Sequence, residues 1–328
     1  LKELIVDSLV LDLGQALTTK LSGHFFQLTD TVSPPRGNLR IHTLSVNEVE
    51  IRKYLPDTLF PEGLDLPGTA DLQGVIMAEK DSLLGNLALG TDYGSVRAEA
   101  EIHRDTVTGW EKINMQLYSE GFALDSLLQK KDTLGNLAFN VNIAGMTRNF
   151  SNPDLNYDVT LAGFQYMGYT YSDLIAAGSY SGDTLQLHAA MKDENLSFMI
   201  NGQAYIPGRL EGIALEAELN KAELAALGLS DESTRLGGSL QTSLSGSGIQ
   251  NIKGYLLLND AYYIQPEQSF LTESIRWDME GDSTQPLYHM HLENLWNNDS
   301  LVTRDAVITA RPESERTLFS GNAMVRNL

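Results

Sequence analysis

Apolar side chains recur along this chain at every second position. In "SVRAEAEIH", Val96, Ala98, Ala100 and Ile102 fall on one side, and Arg97, Glu99, Glu101 and His103 on the other. "KINMQLY" sets Ile113, Met115 and Leu117 against Lys112, Asn114 and Gln116. "LAFNVNIAG" groups Leu137, Phe139, Val141 and Ile143, and "LNYDVTLAG" groups Leu155, Tyr157, Val159 and Leu161. "TLQLHAAM" continues with Leu185 and Leu187, "NLSFMING" with Leu196, Phe198 and Ile200, and "GIALEAELN" with Ile213 and Leu215. Each stretch has strand length and is bounded by Gly, Asn, Asp or Pro. Strict alternation predicts antiparallel strands with one wet face, since strands of a parallel α/β sheet are apolar on both. The expected fold is mainly β: an elongated, curled antiparallel repeat sheet whose apolar residues line an open trough.

Helical patterns are few and short. "LNKAELAALGLSD" predicts a helix capped by Asn220 and stopped by Gly228. "FALDSLLQKKD", from Phe122 to Asp132, predicts two turns, and "NEVEIRKYLPD" predicts another short helix ended by Pro56. None is long enough to stand without packing on a sheet.

The pentapeptide "LGNLA" occurs at Leu84–Ala88 and again at Leu134–Ala138, each time shortly after an Asp and a hydroxyl residue. "DTLQLHAAMK" at 183, "ESTRLGGSLQ" at 232 and "DSTQPLYHMH" at 282 extend the series more loosely. The aligned leucines are Leu84, Leu134, Leu185, Leu236 and Leu287, which predicts a unit of about fifty residues repeated along one continuous array, 1–328. Such units bury their apolar faces only by stacking. Gly85 and Gly135 are expected to bend the chain as it enters the sheet, with Leu84, Leu87, Leu134 and Leu137 beginning the apolar face. "DTVSPPRGN", near 30–38, is the best candidate for a boundary, and a weak one.

Composition narrows the function. There are 23 Lys and Arg against 43 Asp and Glu, a net charge of −20, which repels nucleic-acid phosphates and disfavours docking on anionic headgroups. The absence of cysteine excludes disulfides, thiol catalysis and zinc–thiolate sites. No apolar run approaches the ~18–20 residues of a membrane-spanning helix. The chain begins at Leu1 and ends in the strand-like "AMVRNL", so it reads as an internal fragment of a longer protein.

Chemistry-bearing motifs are sparse. Phosphate-cradling, zinc-protease, CxxC and calcium-loop patterns are missing. "GDST", at Gly281–Thr284, resembles the nucleophile block of GDS-type esterases, but no His follows an Asp at the spacing those enzymes use, so a polar hairpin turn is expected. "YHMH" places His289 and His291 on one strand face without a third ligand nearby in sequence. "KDEN" and "RPESER" read as turns. Carboxylates are plentiful and none stands out as catalytic. "YMGYTYSD", Tyr166–Asp173, reads as a Gly-bearing hairpin with aromatics packed across strands, ahead of a glycan-stacking platform. No catalytic residue, cofactor or metal is expected, and no enzyme.

The stretches "FALDSLLQKKDTLGNLAFNVNIAG", "FQYMGYTYSDLIAAGSYSGDTLQLHAAMKDENLSFMINGQAYI" and "AELAALGLSDESTRLGGSLQTSLSGSGIQNIKGYLLLNDAYYI" resemble the AsmA-like superfamily. Within it they are similar to the translocation-and-assembly-module B type of Bacteroidetes-like Gram-negative bacteria. The succession ending in "SLSGSGIQNIKGYLLL" is the most specific part. The resemblance implies a bridge across the periplasm, anchored in the inner membrane, whose curled sheet forms an apolar, taco-shaped groove. It further implies transport of phospholipids toward the outer membrane, support of outer-membrane biogenesis, and a β-barrel partner met by parts of the parent protein outside this chain.

Three functional expectations follow. In the first and favoured one, the 22 apolar residues from Val96 to Leu215 named above line a groove that carries acyl chains. In the second, the chain is a non-catalytic structural or interaction scaffold with a dry core, assisting outer-membrane protein assembly or adhesion. The third is a carbohydrate-active or esterase domain, which needs paired carboxylates or Ser283 within reach of a His.

Overall fold

The computed structural model describes residues 3–27, 36–56, 63–129, 133–148, 151–246, 252–280, 287–312 and 317–324. The chain divides into two compact units, Leu1–Ser172 and Asp173–Leu328. Residues 30–35 of the expected boundary lie outside the described residues.

The first unit is an antiparallel meander. Its strands are β1 (Glu3–Asp12), β2 (Leu17–Phe26), β3 (Arg36–Asn47), β4 (Thr69–Ala78), β5 (Ser82–Thr91), β6 (Gly94–Arg104), β7 (Glu111–Ala123), β8 (Leu134–Arg148) and β9 (Ser151–Tyr166). Each pairs with the next in sequence. The helices are single turns, α1 (Glu48–Ile51) after β3 and α2 (Leu124–Leu128) after β7. Asn47 caps α1 by accepting a hydrogen bond from the Glu50 N–H at 3.1 Å, which leaves Ile51 to be buried.

The second unit repeats the plan. It holds β10 (Tyr169–Ser181, which crosses the division), β11 (Thr184–Lys192), β12 (Leu196–Tyr205), β13 (Gly212–Glu223), β14 (Arg235–Ser245), β15 (Lys253–Ile264), β16 (Ser269–Glu280), β17 (Leu287–Asn297), β18 (Ser300–Pro312) and β19 (Thr317–Met324). Neighbours in sequence again pair antiparallel. Among the described residues the first and last strands of a unit never pair with each other, so neither unit closes into a barrel. The fold is mainly β, an open antiparallel sheet with a few short helices, as the alternation predicts.

Two local expectations are corrected. The helix predicted from Asn220 does not form. β13 continues through Glu223, and the chain then makes a turn over 224–228 in which the Leu227 N–H donates to the Glu223 carbonyl and Leu227 is 1% exposed. The Ala/Leu/Glu composition favours helix, but pairing with β14 overrides it: Ala222 lies opposite Leu236, and the Arg235 guanidinium meets the Glu223 carboxylate at 2.8 Å. "LGNLA" is also not one motif in space. Leu84 and Leu87 are three residues apart in a regular strand, so they face opposite ways, Leu84 toward Glu101 and Leu87 toward Ala98. Gly85 sits inside β5 with nothing within 4 Å of where a Cβ would be, and bends nothing. In the second copy a bulge between Leu134 and Leu137 restores both leucines to one face, at Gly135, where a Cβ would meet the Gln165 side chain.

The stations at 81, 132, 183 and 232 immediately precede β5, β8, β11 and β14, every third strand. Three strands is an odd number, so β5 and β8 run in opposite directions, as do β11 and β14. "KDEN" forms the turn between β11 and β12. In "YMGYTYSD", Met167 and Gly168 take positive φ at a hairpin turn, and Phe164 and Tyr171 stack with centroids 4.7 Å apart. Residues 281–286, with Ser283, and 313–316 lie outside the described residues.

Candidate functional site

Directly paired residues of antiparallel strands point to the same face, so register decides which side chains share a surface. In the first unit one row crosses β4 to β9 as Gly74, Leu87, Ala98, Leu117, Val141 and Val159. The neighbouring row is Ile76, Gly85, Ala100, Met115, Ile143 and Tyr157. Beyond it run Ala78, Leu83, Ile102, Ile113, Gly145 and Leu155. On the other flank, Phe139 lies opposite Leu161 and Leu137 opposite Phe164, while Leu89 lies opposite Val96. All fifteen residues named from the sequence in this unit therefore lie on one face.

The second unit builds its own face in the same way. One row reads Gly178, Leu187, Gly202, Leu215, Thr242, Leu256, Trp277, Met290 and Ile308. Leu185 aligns with Ala204, Ile213 and Leu244; Ile200 with Ala189 and Ala217; Phe198 with Met191 and Leu219; Leu196 with Ala222. The one polar member, Thr242, donates its hydroxyl hydrogen to the Tyr255 carbonyl at 2.8 Å and so adds no free polar group to the row.

The burial of these faces is incomplete in a consistent way. Of the 22 residues only Ile113 is buried, at 6% exposure, and the rest are half-buried. Buried hydrophobic side chains number nine among the described residues. Exposed large apolar side chains occur on both faces, Met77 at 43% and Met199 at 40% on the opposite one, Leu83 and Trp277 at 43% in the apolar rows. Among the described residues the apolar rows of each unit have no second layer of that unit packed on them, and α1, α2 and the 224–228 turn are too short to cover them.

The same register shows what the alternation did not name. Leu39, Ile41, Leu44 and Leu72 extend the first face toward β3, and Leu240, Leu256, Leu258, Ile275 and Leu292 extend the second. In "GYLLLND" the continuous apolar run hides the period of two: Leu256 and Leu258 join the face, while Leu257 lies opposite Arg276. Tyr157 is the one ionisable group among the named residues, and burial pushes its phenol above the usual value.

The opposite face of each unit is polar; hollows on it include one of about 530 Å³ in the first unit and ones of about 630 and 580 Å³ in the second. Some of its ionisable groups sit in surface pairs, such as Arg276 with Asp278. His289 and His291 do share this face, with His289 Nδ1 3.0 Å from Thr309 Oγ1 and His291 Nε2 2.7 Å from Asp305 Oδ1. No group of three or more His, Asp or Glu able to hold a metal occurs among the described residues. No helix among them is long and apolar enough to cross a membrane.

Comparison with protein-family models, characterised proteins and solved structures gives no match, so the reading of these faces rests on their own residues and register.

Proposed function

We propose that this chain is a segment of a periplasmic bridge that carries phospholipid acyl chains along its apolar faces between the inner and outer membranes, in support of outer-membrane biogenesis. The observation that carries the reading is the set of in-register apolar rows, such as Gly74–Leu87–Ala98–Leu117–Val141–Val159, that stay half-buried with no layer over them. A row of Leu, Val, Ala and Gly offers an acyl chain contact without hydrogen-bonding competition from water. Each methylene transferred onto it contributes about 0.8 kcal/mol. Neighbouring positions along a row are chemically alike, so moving from one to the next costs little. No step requires a catalytic group, and the chain acts as a conduit, not an enzyme. The polar face and the net charge of −20 keep the other side in water. Anchoring in the inner membrane and contact with an outer-membrane β-barrel partner belong to the parent protein in this proposal.

Native mass spectrometry of the chain purified from a Gram-negative host tests the reading. Co-purified phospholipid, released by Val141→Glu, is the expected result. A lipid-free protein that also takes up no lipid from phosphatidylethanolamine vesicles contradicts it, and favours a scaffold with no cargo.

A further inference from the structure

The polar face of β11–β15 carries a feature that an acyl conduit does not need. Its 630 Å³ hollow is floored by small residues, Ala177 and Ala214 among them. Two rungs of polar side chains cross it in register. One is His188, Asn201, Glu216 and Gln241, each directly opposite the next on β11, β12, β13 and β14. The other begins with Gln186 opposite Gln203, passes over Ala214 and Ser243, and ends at Tyr255.

The chemistry of the walls selects a ligand class. A carboxamide offers donors and an acceptor on one planar group, which is what a pair of neighbouring hydroxyls requires. Gln203, Gln241 and Glu216 make no hydrogen bond to the described protein, so their capacity is free for a ligand. The wall beside them is held: His188 Nδ1 lies 2.5 Å from Asn201 Oδ1. No Lys or Arg lines the hollow. The nearest guanidinium, Arg276, is turned onto the Tyr255 ring at 4.8 Å and bound by both carboxylate oxygens of Asp278. With Glu216 inside and no Lys or Arg in the lining, a phosphate, sulfate or uronate chain is disfavoured. The spacing between rungs of one ladder is the strand spacing, about 4.8 Å, close to the length of one pyranose residue. A glycan running across the strands therefore meets polar side chains at the spacing of its sugars, with rings over the small residues Ala177 and Ala214 where they interrupt the rows.

We propose that this hollow binds an uncharged glycan strand laid across β11–β15. The proposal stands on the polar face alone and does not depend on acyl binding. Titration of the full chain with cellohexaose and with chitohexaose, followed by side-chain amide NMR, tests it. One of these neutral hexasaccharides is expected to shift the Gln203 and Gln241 carboxamide signals. Glu216→Ala and Gln241→Ala should each weaken binding about tenfold, the effect of one lost hydrogen bond to a charged or well-placed group. Ala214→Trp, which fills the floor from the solvent side, should abolish binding with an unchanged unfolding midpoint, and Asn142→Glu, in the other unit, should leave it intact. No shift with either oligosaccharide at millimolar concentration, undiminished binding by Ala214→Trp, or equal binding of a heparin hexasaccharide would overturn it.

Discussion

On β6, Val96, Ala98, Ala100 and Ile102 alternate with Arg97, Glu99, Glu101 and His103, so two surfaces of opposite character are one peptide step apart. The difference between them lies in what completes each surface. On the polar side every exposed group finds water or a cross-strand neighbour, such as the Asn86 amide donating to Glu99 at 3.0 Å. On the apolar side the strands supply aliphatic rows, and among the described residues no second sheet or long helix of the same unit packs on them. The polar face is finished by solvent, and the apolar face is finished only by something that is not solvent. A sandwich of the same length would present its apolar side chains as a closed core.

The sharpest way to break this contrast is at the one named residue that is buried. Ile113→Ala should cost about 3 kcal/mol, read as a drop in the denaturation midpoint. Comparable truncation of the half-buried Val141 should cost markedly less. If both cost the same, the face is packed and not open.

Next in size is a pair of neighbours. Val141→Glu places a charge in the apolar row and should destabilise by about 2 kcal/mol, whereas Asn142→Glu, on the other face, should stay within about 0.5 kcal/mol. Equal effects in urea denaturation would erase the distinction between the faces.

Titration sharpens the comparison further. Burial raises the Tyr157 phenol, so the folded state holds that proton more tightly than the unfolded chain. The stability this contributes is complete below the ordinary phenol value of about 10 and is lost as pH rises through the raised folded value. Tyr157→Phe should therefore flatten the alkaline end of the stability profile, and added phospholipid should move the Tyr157 titration higher still.

The smallest effect is expected on the polar side. The Asp105 carboxylate accepts hydrogen bonds from the Thr108 hydroxyl at 2.6 Å and the Val107 N–H at 2.9 Å, and these hold its pKa below the usual value. A lowered value contributes stability above the ordinary carboxylate range that is lost as pH falls through the folded value. Thr108→Ala should shift the Asp105 titration upward by NMR with little change in the midpoint, because the turn is open to solvent.

Much of this was legible in the chain because period two is both the strand repeat and the face assignment. Strands such as β6 and β8 could be read residue by residue, and the groove residues named from them share a face within each unit. Three things were not legible. Bulges, as at Ser119–Phe122 opposite β8, change parity without a sequence mark. Runs such as "GYLLLND" conceal alternation behind apolar residues on both faces. The segment after Asn220 is helical by composition, and only its pairing with β14 shows that strand wins. The repeat spacing near fifty was visible, yet Leu84 and Leu134 fall on opposite faces, since a leucine's position in a motif does not fix its parity in the strand.

The central claim is that acyl chains occupy the apolar face and not its reverse. A photoreactive amino acid placed at Phe139, and separately at Asn142, in cells of a Gram-negative host measures this directly. The account predicts phospholipid adducts at position 139 and none above background at 142. Adducts at neither position, or equally at both, would contradict it.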